Sequence, residues 1–140
     1  MKPRLPAMIA ALWWGSLSTI GFLVVPLLFA NLPTPAMAGQ MAARLFAAQT
    51  WVSVACGLLL LLLSRSRQTQ ALAGWAQNAL FFIVFGMLLA LLSQFAVAPR
   101  IVARENLELW HSVGSAMYLV QWLCAVAVLW QLVSNPRQAG

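Results

Sequence analysis

Acidic side chains are almost missing from this chain. Two Glu and eight Lys or Arg are the whole charge of 140 residues, 7% of the sequence, and the formal net charge is +6. Soluble globular proteins carry about 25% charged residues, so a water-covered surface of ordinary composition is excluded. Histidine and tyrosine occur once each and cysteine twice. With one His and two Glu there is neither a nucleophile–base pair nor a cluster of metal-ligating residues, and the expectation is a protein that is not an enzyme. The two cysteines, Cys56 and Cys124, stand alone without C-x-x-C spacing and read as buried apolar fillers. The basic residues are scattered singly or in pairs between apolar runs, which lacks the contiguous stripe that phosphate binding needs and excludes nucleic acid as a partner.

What the chain has in abundance is hydrophobicity: 63% of residues, with a mean hydropathy of +0.87. The solvent must be largely lipid. Charge-free runs mark four spans in a single domain covering residues 1–140: Ala7 to Ala30, Leu45 to Leu63, Ala79 to Ala98 and Ser112 to Val133. All four should be helices, because an isolated strand leaves its backbone groups unsatisfied in hydrocarbon and no barrel-like alternation is present. The fold class is therefore all-α, an integral membrane four-helix bundle whose first partner is the lipid bilayer. A second reading of the first run, a cleavable signal peptide ending near Ala36-Met37-Ala38, is disfavoured. Its apolar region is a full span, whereas signal peptides use about 7 to 15 apolar residues.

Four spans put both termini on one side. Lys2, Arg4, Arg65, Arg67 and Arg137 fall there, against Arg44, Arg100 and Arg104 opposite. The bias of positive charge toward the cytoplasm then predicts an N-in/C-in topology with loops 1 and 3 outside. Loop 1 and its flanks bring Pro26, Met37, Met41 and Arg44 to the outer end; loop 3 and its flanks bring Arg100, Glu105, Glu108 and His111. On the fourth helix His111, Ser115, Tyr118, Trp122 and Ala125 recur at intervals of 4, 3, 4 and 3, one stripe that should face the bundle, with Gln121 at its edge. Gly15, Ser18, Thr19, Phe22 and Pro26 on the first helix form a possible complement, and Pro26 should bend that helix.

Pro26, Arg44, Arg100, His111 and Tyr118 are thus the candidate functional pocket. The competing reading is structural: loops are polar in every membrane protein, Arg at span ends reaches for headgroups, and a lone His serves packing as readily as chemistry. Met37, Met41 and His111 together are soft enough donors for Cu(I), which makes a copper site a further alternative.

Trp13 and Gly15, Pro26 and Phe29, Ala38-Gly39 followed by Arg44 and Phe46, Pro99-Arg100-Ile101, and His111 together resemble a four-helix bacterial membrane family, domain of unknown function four-one-four-nine, whose eukaryotic relatives resemble transmembrane protein two-hundred-and-five. The resemblance runs from about Met8 to Val133. It implies a four-helix bundle in the bacterial inner (cytoplasmic) membrane and no settled activity. A more distant likeness to copper-resistance D-type membrane proteins implies a link to copper or haem through His111.

Three functions follow as expectations. The first is a non-enzymatic accessory or assembly subunit, partnered by itself as a homo-oligomer or by other membrane proteins. The second is an outward-facing protein that handles a metal or small ligand. The third, a small transporter, is disfavoured because no acidic residue lies within a span to carry a coupling proton.

Overall fold

The computed structural model describes residues 4–65 and 74–134. They form four long helices: α1 (Arg4–Asn31), α2 (Pro35–Leu63), α3 (Ala76–Val102, with its first turn from Gly74) and α4 (Leu107–Ser134). Among the described residues each is long and apolar enough to cross a bilayer, and the chain is a multi-pass membrane protein. Lys2, Arg67 and Arg137, three of the charges that set the expected topology, lie outside the described residues, as does Asn135-Pro136 beyond the fourth span.

The helices run up, down, up and down. α1 packs on α2, α2 on α3, α3 on α4, and α4 closes back on α1, so that α1 faces α3 and α2 faces α4 across the diagonals. Glycines set the closest approaches. A Cβ at Gly86 would lie 2.7 Å from the Trp13 ring, and one at Gly57 would collide with the Met87 side chain. In lipid, where apolar surface gains little by leaving its solvent, such close van der Waals contact is what holds helices together.

Each helix begins or ends where local chemistry dictates, and not where the charge-free run does. α2 starts at Pro35 rather than Leu45, because the Thr34 side chain accepts the Met37 amide and caps the helix, with Pro35 in its first turn. Arg44 therefore lies within α2 and not in loop 1. α3 runs through Pro99 to Val102 instead of ending at Ala98. It does so by widening: Ser93–Val97 is a π-turn segment in which the Ala98 amide reaches back to the Ser93 carbonyl. α1 solves the same problem identically, with a π segment at Thr19–Val24 and the Val25 amide bonded to the Ile20 carbonyl, just before Pro26. A proline ring clashes with the carbonyl four residues earlier, and one extra residue per turn moves that carbonyl away.

Between α3 and α4 the chain turns through Ala103–Asn106. Arg104 and Asn106 have φ of 57° and 35°. The Arg104 amide donates to the Ile101 carbonyl and the Glu105 amide to the Arg100 carbonyl. This is a Schellman cap, with Arg104 in the left-handed position that glycine usually fills.

Candidate functional site

Most of the predicted outer residues lie at the surface. Pro26, Arg44, Arg100 and His111 are exposed, as are Met37 and Met41 on the first turns of α2. Arg100 is occupied locally: its guanidinium lies 3.9 Å from the Glu105 carboxylate and 4.7 Å from the centre of the Trp110 ring, which ties the end of α3 to the start of α4. Among the described residues no hydrogen bond or ion pair joins Arg44, His111 and Tyr118 to one another. Met37 and Met41 sit on the helix diagonally opposite the one that carries His111. No three His, Cys, Asp or Glu come together among the described residues.

Tyr118 is different. Its ring is half-buried, its hydroxyl donates to the Leu17 carbonyl at 2.6 Å, and Gly21 leaves it room, since a Cβ there would collide with the ring. Phe46 of α2 meets the same ring edge-on at 5.3 Å. One turn further along α4, the Trp122 indole donates to the Ser18 hydroxyl at 2.8 Å, which in turn donates to the Trp14 carbonyl. The stripe expected on α4 thus faces α1 from Tyr118 onward, and Ala125 is fully buried, while His111 and Ser115 are exposed. The first two members of the stripe lie in the part of α4 where no residue before Gln121 is buried.

The polar centre of the molecule lies deeper. Gln49, near the middle of α2, is 4% exposed. Its amide donates to the Ser16 hydroxyl of α1 at 2.9 Å and, at 3.4 Å, to Ser53 one turn along α2. Ser53 is fully buried and donates across the diagonal to the Gln121 carbonyl oxygen of α4 at 2.8 Å. Three helices are therefore joined by one chain of hydrogen bonds at the depth where water is scarcest, which is where an unmet polar group costs most. Gln49 and Ser16 were not singled out by charge or stripe reasoning. The signal available was a lone amide in the middle of an apolar span, with a serine four residues on.

Beside this chain, between α1 and α2, a groove of about 540 Å³ opens on the flank of the bundle. Its walls are apolar, and Gly15, Ser16, Thr19 and Gln49 bring polar or small groups to it.

Residues 8–109 match the domain of unknown function DUF4149, covering α1, α2, α3 and the first residues of α4. The chain belongs to the DUF4149 family. The match includes the groove, Gln49, Ser53 and Arg44, while His111, Tyr118 and Gln121 lie beyond it. No curated protein and no solved structure matches this DUF4149 chain.

Proposed function

We infer that this DUF4149 protein is a non-enzymatic accessory or assembly subunit of the bacterial inner membrane, with both termini in the cytoplasm. What carries the reading is where its membrane-depth polar groups go. Ser16, Ser18, Gln49, Ser53, Tyr118, Gln121 and Trp122 direct hydrogen bonds to one another or to helix carbonyls, although Trp13 Nε1, Trp14 Nε1, Ser93 Oγ and Gln131 Oε1 are buried without a partner, which supports an interior used mainly for its own cohesion. What remains for other molecules is the lateral surface, where large side chains such as Leu12, Trp51, Phe81 and Trp130 are exposed. The topology is supported by Arg4 and Arg65 at the end where α1 begins and α2 ends, with Arg44, Arg100 and Arg104 toward the other.

The test is affinity purification of the full chain from native membranes after crosslinking, with purification in mild detergent. A stoichiometric membrane-protein partner or a second copy supports the reading, and the interaction should survive His111→Ala. A chain that stays monomeric without partners but retains copper by elemental analysis, lost on His111→Ala, would replace it with the metal-handling reading. A reporter fused after Gly140 should be active in its cytoplasmic form and silent in its periplasmic form; the reverse outcome inverts the topology.

A further inference from the structure

The groove between α1 and α2 has an unusual hydrogen-bonding character, because every donor that reaches it is already in use. The Ser16 hydroxyl donates to the Trp13 carbonyl at 2.9 Å and the Thr19 hydroxyl to the Gly15 carbonyl at 2.8 Å. Both amide hydrogens of Gln49 go to Ser16 and Ser53. What these groups still offer is lone pairs. Foremost is Oε1 of Gln49, which accepts no hydrogen bond among the described residues, although the residue is 96% buried and lines the groove. At the middle of a span neither water nor an acyl chain can donate to it, and an acceptor left unmet there is costly.

The geometry points to a binding site for a lipid-soluble molecule that carries a hydroxyl donor on an apolar body, an alcohol or a phenol, with its O–H directed at Gln49 Oε1. The volume of about 540 Å³ lies within the range of about 300 to 1,000 Å³ typical of small-molecule sites. The walls, Leu12 and Ala48 among them, suit an apolar body, and entry from the bilayer needs no opening of the bundle. A carbonyl-only or ether ligand does not complement the site, since it would place acceptor against acceptor. Gly15 adds room: a Cβ built there meets nothing within 4 Å.

The experiment uses the full chain in lipid vesicles and two photoactivatable probes, a long-chain alcohol bearing a diazirine and its methyl ether. The alcohol is expected to label peptides containing residues 11–20 and 45–52 about three- to tenfold more than the ether, the range one intramembrane hydrogen bond supplies. Excess unlabelled alcohol should compete. Gln49→Leu should bring alcohol labelling down to the ether level. Because that variant also breaks the contact to Ser16 and can fail to fold, Gly15→Leu is the second arm: it fills the groove from a position with free space, should leave thermal stability intact, and should abolish labelling by both probes. Equal labelling by alcohol and ether would show a cleft filled by acyl chains and overturn the proposal. So would labelling undiminished in Gly15→Leu, or crosslinking of Ala48→Cys to another transmembrane helix that the alcohol does not displace.

Discussion

The two ends of the bundle are built differently. Toward the chain termini the helices close on a continuous core: Ala10, Trp13 and Leu17 of α1, Leu60 of α2, Ala79 and Ile83 of α3, and Ala125 and Val128 of α4 are all fully buried. Toward the two loops the picture inverts. From Thr19 to Asn31 α1 buries nothing, α3 beyond Leu92 buries only Val97, and α4 before Gln121 buries nothing. Ala38 and Ala42 of α2 are the exception. Small residues bring the helices together at one end, and at the other Pro26 and Pro99 follow π segments in which the turns of α1 and α3 widen. The difference teaches that cohesion is concentrated in the terminal half, and that the half carrying Pro26, Pro99 and the two π segments contributes little to it.

The strongest challenge to that division is to remove one large side chain from each half. Trp13→Ala empties the centre of the packed end, where the ring lies against Gly86, and should destabilise the protein by about 3 to 5 kcal/mol. Phe95→Ala removes a ring that is 63% exposed and touches Trp51 edge-on, and should cost less than about 1 kcal/mol. Reversible unfolding in mixed micelles measures both. Comparable losses would show that the loop end is as tightly held as the terminal end.

At the boundary between the halves lies the hydrogen-bonded chain from Ser16 through Gln49 and Ser53 to Gln121. Intramembrane hydrogen bonds couple helices by about 0.6 kcal/mol on average and at most about 2. A double-mutant cycle of Ser53→Ala with Gln121→Leu should return a coupling in that range, read from the same unfolding measurements. A coupling near zero would leave close packing alone to hold α2 to α4 across the diagonal.

Much of the fold was legible in the sequence, because the counts that matter in lipid are few. Charge-free runs located four spans, and the 3.6-residue stripe on α4 correctly placed Tyr118, Trp122 and Ala125 against the bundle. Helix ends were read less well: hydropathy reports where hydrocarbon begins, whereas Thr34 and Pro35 decide where α2 does. Arg44 illustrates the gap, being a loop flank by charge and a helix residue by capping. At Pro26 the helix continues through a wider turn just before the ring, a form that periodicity does not encode. The polar centre was the least legible part. Gln49 carries no charge to draw notice, and its importance comes from being opposite Ser16 and in line with Ser53 and Gln121, which is a property of the assembled helices. The loop-end residues were conspicuous because they are chemically rare, and among the described residues no hydrogen bond or ion pair joins Arg44, His111 and Tyr118.

The smallest expected effect sharpens the comparison at the loop end. The Schellman cap after α3 puts Arg104 at φ 57°, where a side chain bearing a Cβ is disfavoured and glycine is not. The position is exposed, and the side chain that braces the turn through Glu105 and Trp110 belongs to Arg100, four residues earlier. Arg104→Gly should therefore relieve backbone strain without removing that brace. Relief of about 1 kcal/mol in the folded state is partly offset by the greater freedom glycine has when unfolded, so the net gain should be a few tenths of a kcal/mol to about 1. The counterpart, Arg100→Ala, removes the ion pair and the contact over Trp110, both at the surface, and should lose no more than about 1 kcal/mol. Because the loop end carries little of the cohesion, both changes should appear first in hydrogen exchange of the amides of Ala103–Trp110, with slower exchange in Arg104→Gly and faster in Arg100→Ala, and scarcely in global unfolding. If Arg100→Ala instead lowered global stability as much as Trp13→Ala, the turn between α3 and α4 would be part of the core, and the division between the two ends would fail.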